Sequence, residues 1–154
     1  MQLSFELPEL DRKKTQRAVE EALEKYRICK YLTHDDREAS LTAGYTERFH
    51  GPTNTTSDQT AQIAVHNVDK QKARKDYCER IERAVSRLDR MERFLVERRY
   101  MSPDSQYITD QKVYSFEFQP PISQPVYAKY RWNGFYKLAL HLKIAILLGG
   151  AEVE

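Results

Sequence analysis

Pro120-Pro-Ile-Ser-Gln-Pro-Val-Tyr-Ala-Lys-Tyr-Arg-Trp-Asn-Gly-Phe-Tyr-Lys-Leu-Ala-Leu140 is the stretch that decides how this chain is read. Its two leading prolines stop any helix before them, because the residue ahead of a proline is pushed out of the helical region. Ser123 then offers an N-cap, and Pro125 is tolerated because it falls in the first turn. Tyr127, Tyr130, Gly134, Phe135 and Leu138 recur at helical spacing and are expected to face other helices. Gln124, Val126, Ala128, Lys129 and Arg131 fall largely on the open side, near the helix start. No Asp or Glu occurs between Glu117 and Glu152, whereas Lys129, Arg131, Lys137 and Lys143 all do. The helix is expected to run to about Leu147 and to end at Gly149-Gly150. Gly134 costs about 1 kcal/mol against alanine in a helix interior, which suggests a close crossing by the preceding short helix.

Upstream, Asp110 to Phe118 reads as that short helix, and Met101 to Thr109, with Pro103, as a connection. Asp89 followed by Glu92 resembles a capping box opening a third helix that reaches Tyr100. Ser57 to Leu88 carries an apolar stripe that includes Val65, Val68, Cys78, Ile81, Val85 and Leu88. The stripe is interrupted by the polar run Asp69 to Asp76, which leaves room for self-association. Glu82 and Glu92 are placed to pair with basic neighbours one turn away, making Lys70 to Arg99 a salt-bridged surface. Asp11 to Leu32 is a first helix, with Val19, Ala22, Leu23, Tyr26 and Cys29 on one stripe. Thr33 to Thr56 shows no sustained period and is read as a long connection. The expected fold is all-α in three parts. Residues 1–56 give a helix and connection, 57–100 a long helix and a leader helix, and 101–154 a helix-turn-helix.

Composition narrows the function. Charged residues make up 31% and apolar residues 40% of the chain, and mean hydropathy is −0.75, a profile suited to long amphipathic helices. Net charge is only +2, so any nucleic-acid signal must lie in how charge is distributed. Cys29 and Cys78 are isolated and fit buried reduced thiols. His34, His50, His66 and His141 form no metal motif, and no phosphate loop or nucleophile motif is present. A non-enzyme without metal or cofactor is expected. The N-terminus is no secretory signal, and the apolar run Leu138 to Leu148 is too short for a bilayer. A cytoplasmic protein with no membrane partner is expected, within a bacterial host cell.

A short helix, a Pro-Pro turn and a Ser-capped basic helix are what a duplex reader of the helix-turn-helix class requires. The candidate DNA contacts are Ser123, Gln124, Ala128, Lys129, Arg131 and Lys137. Gln124 suits a bidentate pair with adenine, and Lys129 or Arg131 suits guanine or phosphate. Ala128 leaves room for a thymine methyl or for close approach. The alternative is a helical adaptor that binds RNA polymerase or another protein and never touches DNA.

Several blocks carry a wider resemblance. They are Asn54-Thr-Thr-Ser-Asp-Gln-Thr-Ala-Gln-Ile-Ala-Val-His-Asn67, Tyr77-Cys-Glu-Arg-Ile-Glu-Arg-Ala-Val85, Glu97-Arg-Arg-Tyr100, Pro121-Ile-Ser123, Tyr127, Arg131-Trp132 and Phe135-Tyr-Lys-Leu-Ala-Leu140. In this order they resemble the ArpU family of phage transcriptional regulators, named for an autolysin regulator. The resemblance implies control of late-gene transcription in phages and prophages of Gram-positive bacteria, with host RNA polymerase as a further partner. Leu88 to Leu138 is also similar to region 4 of bacterial sigma factors. Glu92-Arg93 and Arg99-Tyr100 match the leader helix, Ser123 the cap, and Phe135 and Leu138 buried positions. Three features depart from that pattern. The Met101 to Thr109 link is longer, Asp89 stands where proline is common, and Ala128 stands where a basic residue is often found.

Overall fold

The computed structural model describes residues 6–42 and 58–149, and the fold is all-α. Helix α1 spans Arg12–Thr42 and α2 spans Asp58–Ser86. Helix α3 spans Arg90–Val96 and loosens into a π-helical turn over Glu97–Met101. A single 3-10 turn, Ser105–Tyr107, leads to α4, which is α-helical over Asp110–Lys112 and π-helical over Val113–Glu117. Helix α5 spans Gln124–Leu142. The chain divides into two compact units, Met1–Arg27 with Ile81–Glu154, and Ile28–Arg80.

The larger unit is built from apolar positions spaced by helical turns. Val19, Leu23 and Tyr26 of α1, Ile81, Val85 and Leu88, and Leu95 and Val96 of α3 are all buried. Tyr127, Phe135, Leu138 and Ala139 of α5 complete the core, as the helical spacing predicts. Each large buried side chain removes apolar area worth about 1.5–3 kcal/mol from water. Tyr100 meets Phe135 at 5.2 Å between ring centroids, and Tyr114 meets Tyr127 at 5.5 Å. Trp132 and Tyr136 are held at the edge of this core, Trp132 under the Arg12 guanidinium and Tyr136 by donating to the Pro8 carbonyl.

Both ends of this unit are tied together, which changes where α5 stops. The helix ends at Leu142 rather than Leu147, because Lys143 adopts the left-handed conformation, φ 58°. The Ile144 amide then donates to the Ala139 carbonyl, and the Lys143 amide to that of Leu140, closing the orphan carbonyls in a Schellman-type cap. The chain turns extended, and Leu147 forms an antiparallel bridge with Leu10. The buried Thr15 hydroxyl both donates to the Ile146 carbonyl and accepts from its amide. Asp11, which opens α1, accepts from the Lys14 amide at 3.1 Å.

In the smaller unit α1 continues to Thr42, ten residues beyond the expected stop at Leu32. The helix thus runs on through a stretch whose sequence shows no sustained apolar period. The rest of the expected connection, residues 43–57, lies outside the described residues. Cys29 and Cys78 are free and buried, and burial raises the Tyr77 phenol, with both thiols adding to the effect. Side chains 65–73 of α2 are exposed throughout, so Val65 and Val68 do not continue the stripe into a core.

Candidate nucleic-acid interface

Helix α4 is started by Thr109, whose hydroxyl accepts from the Lys112 amide at 3.2 Å. The next residue, Asp110, is the centre of the local structure. Its carboxylate accepts from the Tyr127 hydroxyl at 2.8 Å, from Arg99 Nε at 2.9 Å and from Arg131 at 3.1 Å. One carboxylate thus ties the turn that ends α3, the start of α4 and the second turn of α5. Burial and then the bond to Asp110 push the Tyr127 phenol upward from its ordinary value. A second clamp lies at the other end of α4, where Arg98 grips both oxygens of Glu117 at 2.9 and 3.1 Å. That hydrogen bond holds the Glu117 carboxyl below its ordinary range. The turn that follows is also fixed, by the Ile122 amide donating to the Tyr114 carbonyl at 3.0 Å.

From this base the start of α5 projects outward. Ser123 has the extended backbone of an N-cap, and its carbonyl accepts the first helical bond from the Tyr127 amide. Its hydroxyl makes no capping bond, so the expected side-chain cap is absent. Gln124, Pro125, Val126, Ala128 and Lys129 are exposed, and only Tyr127 in that stretch turns inward. Gln124, Ala128 and Lys129 therefore lie where the sequence places them.

Two of the candidate DNA contacts are engaged within the protein. Arg131 is not on the open side: its side chain is 23% exposed, paired with Asp110 and set 5.8 Å over the Tyr127 ring. Lys137 remains half-exposed but binds Asp89 at 2.9 Å and Glu92 at 3.0 Å. Those hydrogen bonds, to Asp89 and then Glu92, raise its ammonium pKa. The same contacts undo the expected capping box, since neither carboxylate turns back onto the α3 amides. Glu92 is 4% exposed, so it is a buried charge neutralised by a lysine 45 residues away rather than by a helical neighbour. Glu82 accepts from the Tyr26 hydroxyl of α1 at 2.8 Å. Gly134 faces Glu92, Leu88 and Val96, so the close crossing is made by α3 and not by α4.

The long-range roles of Asp110 and Glu92 are not foreseen by the sequence pattern. Their partners lie 11 to 45 residues away, beyond any helical period, so only the excess of cations on α5 hinted at an acid elsewhere. Among the described residues no group of His, Cys, Asp and Glu could hold a metal ion. No helix among them is long and apolar enough to cross a membrane.

Comparison with known proteins places the chain beside a phage protein. It is 25% identical over 146 residues, 95% of this chain and 99% of the other, to an uncharacterized phage-related protein of Listeria innocua serovar 6a. No protein-family model matches the chain, and no solved structure does. The similarity supports a phage protein.

Proposed function

We propose that this is a phage-encoded, non-enzymatic regulator of transcription that binds duplex DNA through α4, the Pro-Pro turn and α5. The observation that carries this reading is the start of α5. A rigidly clamped helix presents Gln124, Ala128 and Lys129 to solvent, within a stretch free of acids from 118 to 151. An exposed amide, a small residue and a cation at a helix start are what base-edge and phosphate contact require. Lys112, exposed near the start of α4, adds a second cation for the backbone. Arg131 and Lys137 hold the domain together in this reading and leave recognition to Gln124 and Lys129. Resemblance to the ArpU family and to sigma region 4 supports a role in activating late genes.

Footprinting the purified protein on promoter regions of its own phage genome tests the reading. Protection of discrete sites by the native chain is expected. Gln124→Ala should weaken discrimination among sites, and Lys129→Ala should weaken binding on all of them. A stable complex with RNA polymerase or another phage protein, and no protection on any fragment, would favour the adaptor reading instead.

A further inference from the structure

The outer face of α3 and the turn after α4 enclose a groove of about 330 Å³, lined by Arg90, Met91, Arg93, Phe94, Glu117 and Phe118 among others. Its floor is preformed. Phe94 packs edge-on to Phe118 at 4.8 Å, while Met91 and Phe94 leave apolar surface open to solvent. The volume is near the lower end of the about 300–1,000 Å³ common for binding sites, enough for a large apolar side chain. The charges around it are unequally matched. Glu117 has both oxygens taken by Arg98, and Asp89, next to Arg90, is taken by Lys137. Glu97 meets Arg93 at 3.9 Å. Arg90 has no carboxylate partner among the described residues, so one cation stands open beside an open apolar floor.

We infer that this groove docks an acidic peptide segment of a protein partner, seating a leucine or phenylalanine on Met91 and Phe94 and a carboxylate on Arg90. Arginine suits this role because its planar fork matches a carboxylate and is weakly hydrated. Opposite charge at the groove mouth selects acidic segments and rejects basic ones. The groove residues are distinct from the candidate DNA contacts Ser123, Gln124, Ala128, Lys129, Arg131 and Lys137.

The full chain, labelled with nitrogen-15, is titrated with the hexapeptide Asp-Glu-Leu-Phe-Glu-Asp. Two matched peptides serve beside it, one with lysine in place of each acid and one with serine in place of Leu-Phe. The acidic peptide is expected to move the amides of Arg90 to Glu97 and of Phe118 and Gln119. The lysine and serine peptides should bind at least about tenfold more weakly, in line with electrostatic and apolar selection. Arg90→Glu, an exposed change that suits a helix start, should reverse the preference to the lysine peptide. Equal binding of all three peptides would overturn the inference. So would silent groove amides, or a preference untouched by Arg90→Glu. If duplex DNA rather than peptide moves these amides, the groove belongs to a nucleic-acid surface and the inference fails, whatever α5 does.

Discussion

Removing the Asp110 carboxylate should loosen three elements at once. In Asp110→Ala the Tyr127 hydroxyl, on a residue only 2% exposed, loses its acceptor, and an orphaned buried donor costs about 1–3 kcal/mol. Arg99 and Arg131 lose a shared partner, but their side chains are 24% and 23% exposed and can recover some hydration. Their loss is therefore nearer to that of a partly exposed pair, about 0.5–1 kcal/mol each. The sum, about 2–5 kcal/mol, is a large share of a small domain's stability. Urea unfolding followed by circular dichroism measures it. Tyr127→Phe supplies the control, because it should cost about 1 kcal/mol in the native background and little or nothing beside Asp110→Ala. A loss below about 0.5 kcal/mol for Asp110→Ala, or an equal cost of Tyr127→Phe in both backgrounds, would refute the hub.

Three further outcomes follow from the packing. Gly134→Ala should be neutral or stabilising by up to about 1 kcal/mol in urea unfolding, because helix propensity improves and the new Cβ would sit 3.4 Å from Glu92 Cβ, an ordinary contact. Gly134→Leu should instead destabilise strongly, with no room left against Leu88 and Val96. Lys137→Met should cost about 2–3 kcal/mol, below the full penalty for breaking a buried pair because Lys137 is half-exposed, and adding Glu92→Leu should restore much of the loss. At high pH, Tyr100, pushed up to about 12 by burial, and Tyr127, raised still further, stay protonated in the fold after free tyrosines ionise. Their contribution is complete below about pH 10 and is lost as pH rises through their folded values. Phenolate absorbance during alkaline titration should thus show these two ionising last, together with unfolding.

What could be read from the sequence was what repeats locally. Val19, Leu23 and Tyr26, or Tyr127, Phe135 and Leu138, follow the helical period, so the all-α class and the inward faces were legible. The Pro-Pro turn and the start of α5 were legible because proline acts on its immediate neighbour. Helix ends were less so. Lys143 takes a left-handed conformation usually given to glycine, and it does so because residues 144–147 must return to Leu10. The candidate interface was legible where exposure followed period, at Gln124, Ala128 and Lys129. It was not legible where a long cation met a distant acid. Arg131 reaches Asp110, and Lys137 reaches Asp89 and Glu92, through tertiary packing that no spacing encodes. Phe116 shows the same limit from the apolar side, since it lies in a short apolar run yet stays exposed.

Whether the exposed start of α5 meets duplex DNA is decided by the salt dependence of binding. Affinity of the native chain and of Lys129→Ala for one labelled duplex is measured by fluorescence anisotropy across a series of salt concentrations. Each phosphate contact contributes about −0.9 to the slope of log affinity against log salt. A clearly negative slope is expected for the native chain, made shallower by about 0.9 in Lys129→Ala, with unchanged helicity. No duplex binding at low salt, or one slope shared by both proteins, would contradict such a contact.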